Sequence, residues 1–134
     1  MKPSIENKQN IASLREQLLH LHKALLHFEQ KQYEGKYGKI SSPAKLFELV
    51  TGNSSFSWLR SLSELIVALD EITESEGPVK EKDLQSMLEY SQKLLTASER
   101  GNTFSKNYFF ALQKDPAVAI MHGRVSKLIS TCLE

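Results

Sequence analysis

Histidine makes the most chemically suggestive pattern in this chain. His20, His22 and His27 fall within "LLHLHKALLHF", and His122 lies far downstream. As metal ligands they are poorly spaced: on a helix His20 and His27 share a face but stand two turns apart, about 10 Å of rise, beyond the reach of one ion. Neither E-x-x-H nor H-E-x-x-H occurs, which removes the di-iron bundle and zinc-protease arrangements. A solvated helix face accounts for these imidazoles, and no metal or cofactor is expected. The serine-rich "GNSSFSW" holds no G-x-S-x-G and follows no strand, so Ser54, Ser55 and Ser57 read as candidate helix caps and not as nucleophiles. Phosphate cradles are missing too, with no P-loop and no G-x-G-x-x-G. The neighbouring acids Asp70 and Glu71, or Glu74 and Glu76, suit a solvated acidic helix end. No catalytic residue is assigned, and the balance is against an enzyme.

Two aromatic segments have to be placed. "KQYEGKYGK" interleaves Lys31, Lys36 and Lys39 with Tyr33 and Tyr37, a faint version of a single-strand nucleic-acid platform, but a loop packing one or two tyrosines on the core is the favoured reading. In the segment from Phe104 to Phe110, the rings of Phe104, Tyr108, Phe109 and Phe110 cannot all face inward on one helix. That end of the molecule is therefore a candidate protein contact.

The elements that must carry these residues are all helical. Ile11, Leu14, Leu18, Leu21, Leu25 and Phe28 alternate steps of three and four, one stripe of a helix from about residue 5 to 33, with breaks at Gly35 and Gly38. Leu19, Leu26 and Tyr33 widen the stripe beyond a two-stranded coiled coil, which suits a bundle. Ser42 with Pro43 starts a short helix, ended by Gly52. A third helix is expected from about Phe56 to Glu74. After Gly77 and Pro78 a fourth extends to Gly101, then Thr103 is the expected cap of an aromatic helix, and Asp115 with Pro116 opens the last. No segment alternates like a strand. The expected fold is all-α, a single domain over residues 1–134: a four-helix bundle with an up-and-down tendency and one or two short extra helices.

Within the third helix, "SWLRSLSELIVALDE" puts Trp58 on the core stripe and Arg60 on the opposite side, four residues before Glu64. A cation at a helix start is unfavourable, and the order cation then acid is the weaker one for such a pair, so Arg60 calls for a further partner. Val67 lies on the same outer side. The 17 basic and 16 acidic side chains nearly balance, so no global field draws the chain to nucleic acid, which is not a favoured partner. The single cysteine, Cys132, has no partner for a disulfide within the chain. With no apolar stretch behind the basic N-terminus and none of membrane-spanning length, a cytoplasmic protein without membrane association is expected.

The runs "PAKLFELV", "FSWLRSLSELIVALDE", "YFFALQKDPAV" and "HGRVSKLI" together resemble a family of small uncharacterised bacterial helical proteins in which a helix opens with F-x-W-L-R-x-L-S-x-L-I-V-x-x-D and a D-P opens the last helix. The resemblance implies a bacterial cytoplasmic helical protein and no established activity. It draws attention to Trp58, Arg60, Ser63 and Asp70, which with Glu64 are the candidate interaction or polar-network residues. The functional expectation is a non-enzymatic interaction protein that meets a protein partner or itself as a homodimer. The alternative is a small-molecule-binding protein or enzyme with a pocket between helices for an anionic ligand, using Arg60 or the histidines.

Overall fold

The stripe Ile11, Leu14, Leu18, Leu21, Leu25 and Phe28 is buried along its whole length. It lies on helix α1, Ile5–Tyr37, in the computed structural model, which describes residues 5–133. At 33 residues α1 is about 50 Å long, and every other layer is arranged along it. The helix runs through Gly35 and leaves helical geometry only at Gly38, whose φ of 94° is the left-handed region that favours glycine. Of the two expected breaks, Gly38 makes the turn. The last turns before it are held by the rings of Tyr33 and Tyr37, 4.8 Å apart, and by Glu34, whose carboxylate accepts from the Ile40 N–H at 2.8 Å.

Helices α2 (Pro43–Gly52), α3 (Ser54–Ser57), α4 (Arg60–Glu74), α5 (Glu81–Leu94), α6 (Thr103–Lys114) and α7 (Pro116–Leu133) complete the regular structure of the described residues. The fold is all-α. Contacts run from α1 to α4, α4 to α5, α5 to α7 and α7 back to α1, an arrangement compatible with the expected four-helix bundle. The aromatic helix α6 packs on α7, while α2 and α3 pack on each other, with α3 reaching α1. None of the described helices is long and apolar enough to cross a membrane.

Further boundaries differ from expectation. The helix expected from Phe56 to Glu74 is split by a turn at Trp58 and Leu59. Phe56, Trp58 and Leu59 are all buried, and three apolar side chains in four positions cannot share one helical face. Phe56 meets Tyr33 while Trp58 meets Phe104, so the chain turns between them. The serines do not cap α4, which has no side-chain cap; Asn53 caps α3 instead, accepting from the Ser55 N–H at 2.8 Å. Helix α5 stops at Leu94 and not at Gly101, with Thr96 donating back to the Gln92 carbonyl and Leu95 turned into the core.

Gly101 serves the next helix, because a Cβ there would stand 2.6 Å from Cβ of Ser105. The cap of α6 is Asn102, whose Oδ1 accepts from the Ser105 N–H at 2.8 Å, and not Thr103. The two starts marked by proline are as expected: Ser42 accepts from the Lys45 N–H, and Asp115 from the Ala117 N–H. Asn102→Ala should cost about 1 kcal/mol in urea unfolding, and Thr103→Ala less than about 0.5 kcal/mol. The reverse order would return the cap to Thr103.

Candidate interaction site

The five residues singled out on α4 and the turn before it divide into an inner and an outer set. The inner set faces α1. Trp58 is buried and donates its indole N–H to Oε1 of Glu29 at 3.1 Å. Ser63 meets Nε2 of His22 at 2.9 Å, and Asp70 pairs with Nη1 of Arg15 at 3.2 Å. Lys8 continues the series, donating to the carbonyls of Ser75 and Gly77. On α1 the participants Lys8, Arg15, His22 and Glu29 recur every seven residues, and on the partner segment Gly77, Asp70 and Ser63 step back by seven. Seven residues are almost two helical turns, so the contacts form a polar ladder up one seam of an antiparallel helix pair. Its far end is tied by buried Asn7, which donates to the Val79 carbonyl at 2.9 Å.

The outer set is Arg60 and Glu64. Both are exposed, and the ion pairs among the described residues are Arg15 with Asp70 and Lys45 with Glu48. The expected pairing of Arg60 with Glu64 is not made. Val67, 56% exposed, lies on the same face.

Burial tunes the ladder. It lowers the pKa of His22 from the ordinary 6.5, so this imidazole is neutral near pH 7. Ser63 donates to the Leu59 carbonyl at 3.3 Å, which leaves its oxygen to accept from the Nε2–H of His22. Burial raises Glu29, an effect opposed by the Trp58 hydrogen bond and by the charge of Lys36.

A second network, not anticipated from the sequence, joins α6 to α7. Trp58, Phe104, Tyr108 and His122 follow in succession as tilted rings with centroids 5.3–5.5 Å apart. The Tyr108 hydroxyl lies 2.6 Å from Nδ1 of His122, and Ser126 lies 3.4 Å from Nε2. This has the outline of a serine, base and orienting group, but the protons are placed the wrong way. Tyr108 is fully buried, and burial holds its phenol protonated. Its O–H donates to Nδ1, so Nε2 carries the proton that a general base would need to receive from Ser126. The network ties two helices together and does not activate a nucleophile. Of the four aromatics near this end, Phe104 and Tyr108 are buried and Phe110 is 45% exposed beneath Lys114. Among the described residues no three His, Cys, Asp or Glu side chains are grouped to hold a metal ion.

The other feature is a groove of about 610 Å³ between α1 and the first turns of α7. Leu26, Ala117 and Met121 make it apolar, and His20, Lys23 and His27 give it a basic rim. Leu19 and Ile120, on the same two helices, are also exposed. Comparison of the chain with protein-family models, with curated proteins and with solved structures finds no match. The W-L-R-x-L-S resemblance gains no support from them.

The titrating imidazoles give the fold a definite pH response. His22 and His122 are both lowered by burial, so below about pH 6.5 the unfolded chain binds more protons and folding stability should rise with pH towards that value. Glu29 acts in the opposite sense, since a raised carboxyl favours the folded state at lower pH and loses that advantage as pH rises through its folded value. The unfolding midpoint should climb as pH rises towards about 6.5, and His22→Gln and His122→Gln should each reduce the slope. Slopes unchanged in both variants would contradict this assignment.

Proposed function

We propose that the protein is a non-catalytic interaction module that holds an acidic, amphipathic helical segment of a protein partner in the groove between α1 and α7. The observation carrying this reading is the combination of an apolar floor at Leu26, Ala117 and Met121 with the basic rim of His20, Lys23 and His27. A helix laid in such a groove buries its apolar face and brings flanking carboxylates to the rim, which gives affinity from burial and orientation from charge. Trp58, Ser63 and Asp70 bond within the fold and serve this role only indirectly, by fixing the helix against which the groove is built. A cytoplasmic setting in a bacterium accords with the resemblance noted in the sequence, and the free Cys132 thiol suits a reducing compartment.

A labelled Glu/Leu amphipathic helical peptide should bind in fluorescence anisotropy, and a Lys/Leu peptide of the same length should not. Ala117→Trp, which fills the groove from an exposed position, should weaken the Glu/Leu peptide about tenfold or more, a loss of about 1.4 kcal/mol. Equal binding of both peptides, or no effect of the substitution, would remove the reading.

The volume of the groove favours a second reading, since about 610 Å³ lies within the range of small-ligand pockets. An amphiphile with an apolar tail and a carboxylate would satisfy the same floor and rim. Medium-chain fatty acids should then raise the melting temperature saturably in wild type and not in Ala117→Trp. Silence in wild type would eliminate this alternative.

A further inference from the structure

We propose that the groove between α1 and α7 takes the outer face of α4 from a second copy of this chain, head to tail. The inference rests on the groove reading above and names the helix that fills it. On α1 the exposed residues Glu16, His20, Lys23 and His27 follow at steps of four, three and four. On α4 the exposed residues Arg60, Glu64, Val67 and Glu71 follow at the same steps. Residues so spaced form one stripe on each helix.

Laid parallel, the two stripes bring no like charges together at any position. Arg60 falls opposite Glu16, Glu64 opposite His20, and Glu71 opposite His27. Val67 meets Lys23, whose methylene stem borders the apolar floor and whose ammonium can turn to either carboxylate. Laid antiparallel, the acids still meet the imidazoles, but Arg60 is carried opposite exposed Lys31. The parallel arrangement avoids that repulsion and gives Arg60 an acidic partner, which it does not have among the described residues of its own chain.

Symmetric alternatives serve the groove less well. A two-fold contact uses one face on both copies, so one across the groove brings the Lys23 and His20 side chains of the two copies together, while one across α4 pairs Arg60 with Glu71 but leaves the groove open. A single copy cannot satisfy itself, because Ser63 and Asp70 hold α4 to α1 and turn its outer stripe away. The contact is therefore between unlike surfaces, and each added copy presents a fresh α4 and a fresh groove.

Sedimentation and light scattering over a concentration series test this. Wild type should gain mass with concentration and pass beyond the dimer, and association should weaken between about 50 mM and 500 mM salt. Ala117→Trp blocks the groove and Val67→Lys spoils the α4 face; both positions are exposed, so circular dichroism and melting temperature should stay as in wild type. Each variant alone should associate about tenfold more weakly or worse. An equimolar mixture should form a one-to-one dimer and stop there, because each variant keeps one intact surface and the two are complementary. A mixture that remains monomeric, or variants that associate like wild type, would overturn the inference. Monomeric wild type that binds the Glu/Leu peptide would overturn self-association alone, whereas monomeric wild type that ignores the peptide would overturn the groove reading as well.

Discussion

Burial of one face of α1 is the constraint on which the other helices depend. The six residues from Ile11 to Phe28 that define this face are nearly inaccessible to water, and each contributes about 1.5–3 kcal/mol relative to an exposed side chain. A helix of 33 residues cannot cover such a stripe itself. Helices α4, α5 and α7 do so, and each of them contacts α1. The short α3 adds Phe56, which closes the end of the core near Tyr33.

Apolar burial alone would let α4 slide along α1, since leucines at similar spacing are nearly interchangeable partners. The polar ladder removes that freedom. Moving α4 by one turn would separate His22 from Ser63 and Arg15 from Asp70 together, and would pull the indole of Trp58 from Glu29. The ion pair is partly solvated and contributes little by itself. The cost of misalignment comes mainly from half-buried donors and acceptors left without partners, about 1–3 kcal/mol each. Asn7, which ties the Val79 carbonyl, fixes the loop between α4 and α5 in the same way.

The near neutrality of the whole chain conceals a division of charge between its surfaces. Helix α7 carries Arg124 and Lys127 and no acidic residue, while α4 carries Glu64, Asp70, Glu71 and Glu74 against the single cation Arg60. Because α4 and α7 both pack on α1, this division sets an acidic helix and a basic helix against the same central helix. Local complementarity of this kind steers association even when the net charge is only +1.

Helical periodicity made much of this legible in the residues themselves. The stripe of α1, the starts at Ser42 and Asp115, the all-α class and the separation of Trp58 from Arg60 follow from about 100° per residue and from which side chains can cap a helix. The turn at Trp58 and Leu59, the early end of α5 and the choice of Asn102 over Thr103 were not legible, because they depend on where Phe56, Trp58 and Leu95 find room in a core assembled from distant segments. The ladder stood in between: its α1 members recur every seven residues, but nothing local to α1 names Ser63 or Asp70 as their partners. The sequence by itself determined which faces are apolar and which residues can carry charge or donate a proton. Only the tertiary structure decided which of these meet, leaving Ser63 and Asp70 paired inside the fold and Arg60 open to solvent, because pairing depends on the relative placement of helices and periodicity describes one helix at a time.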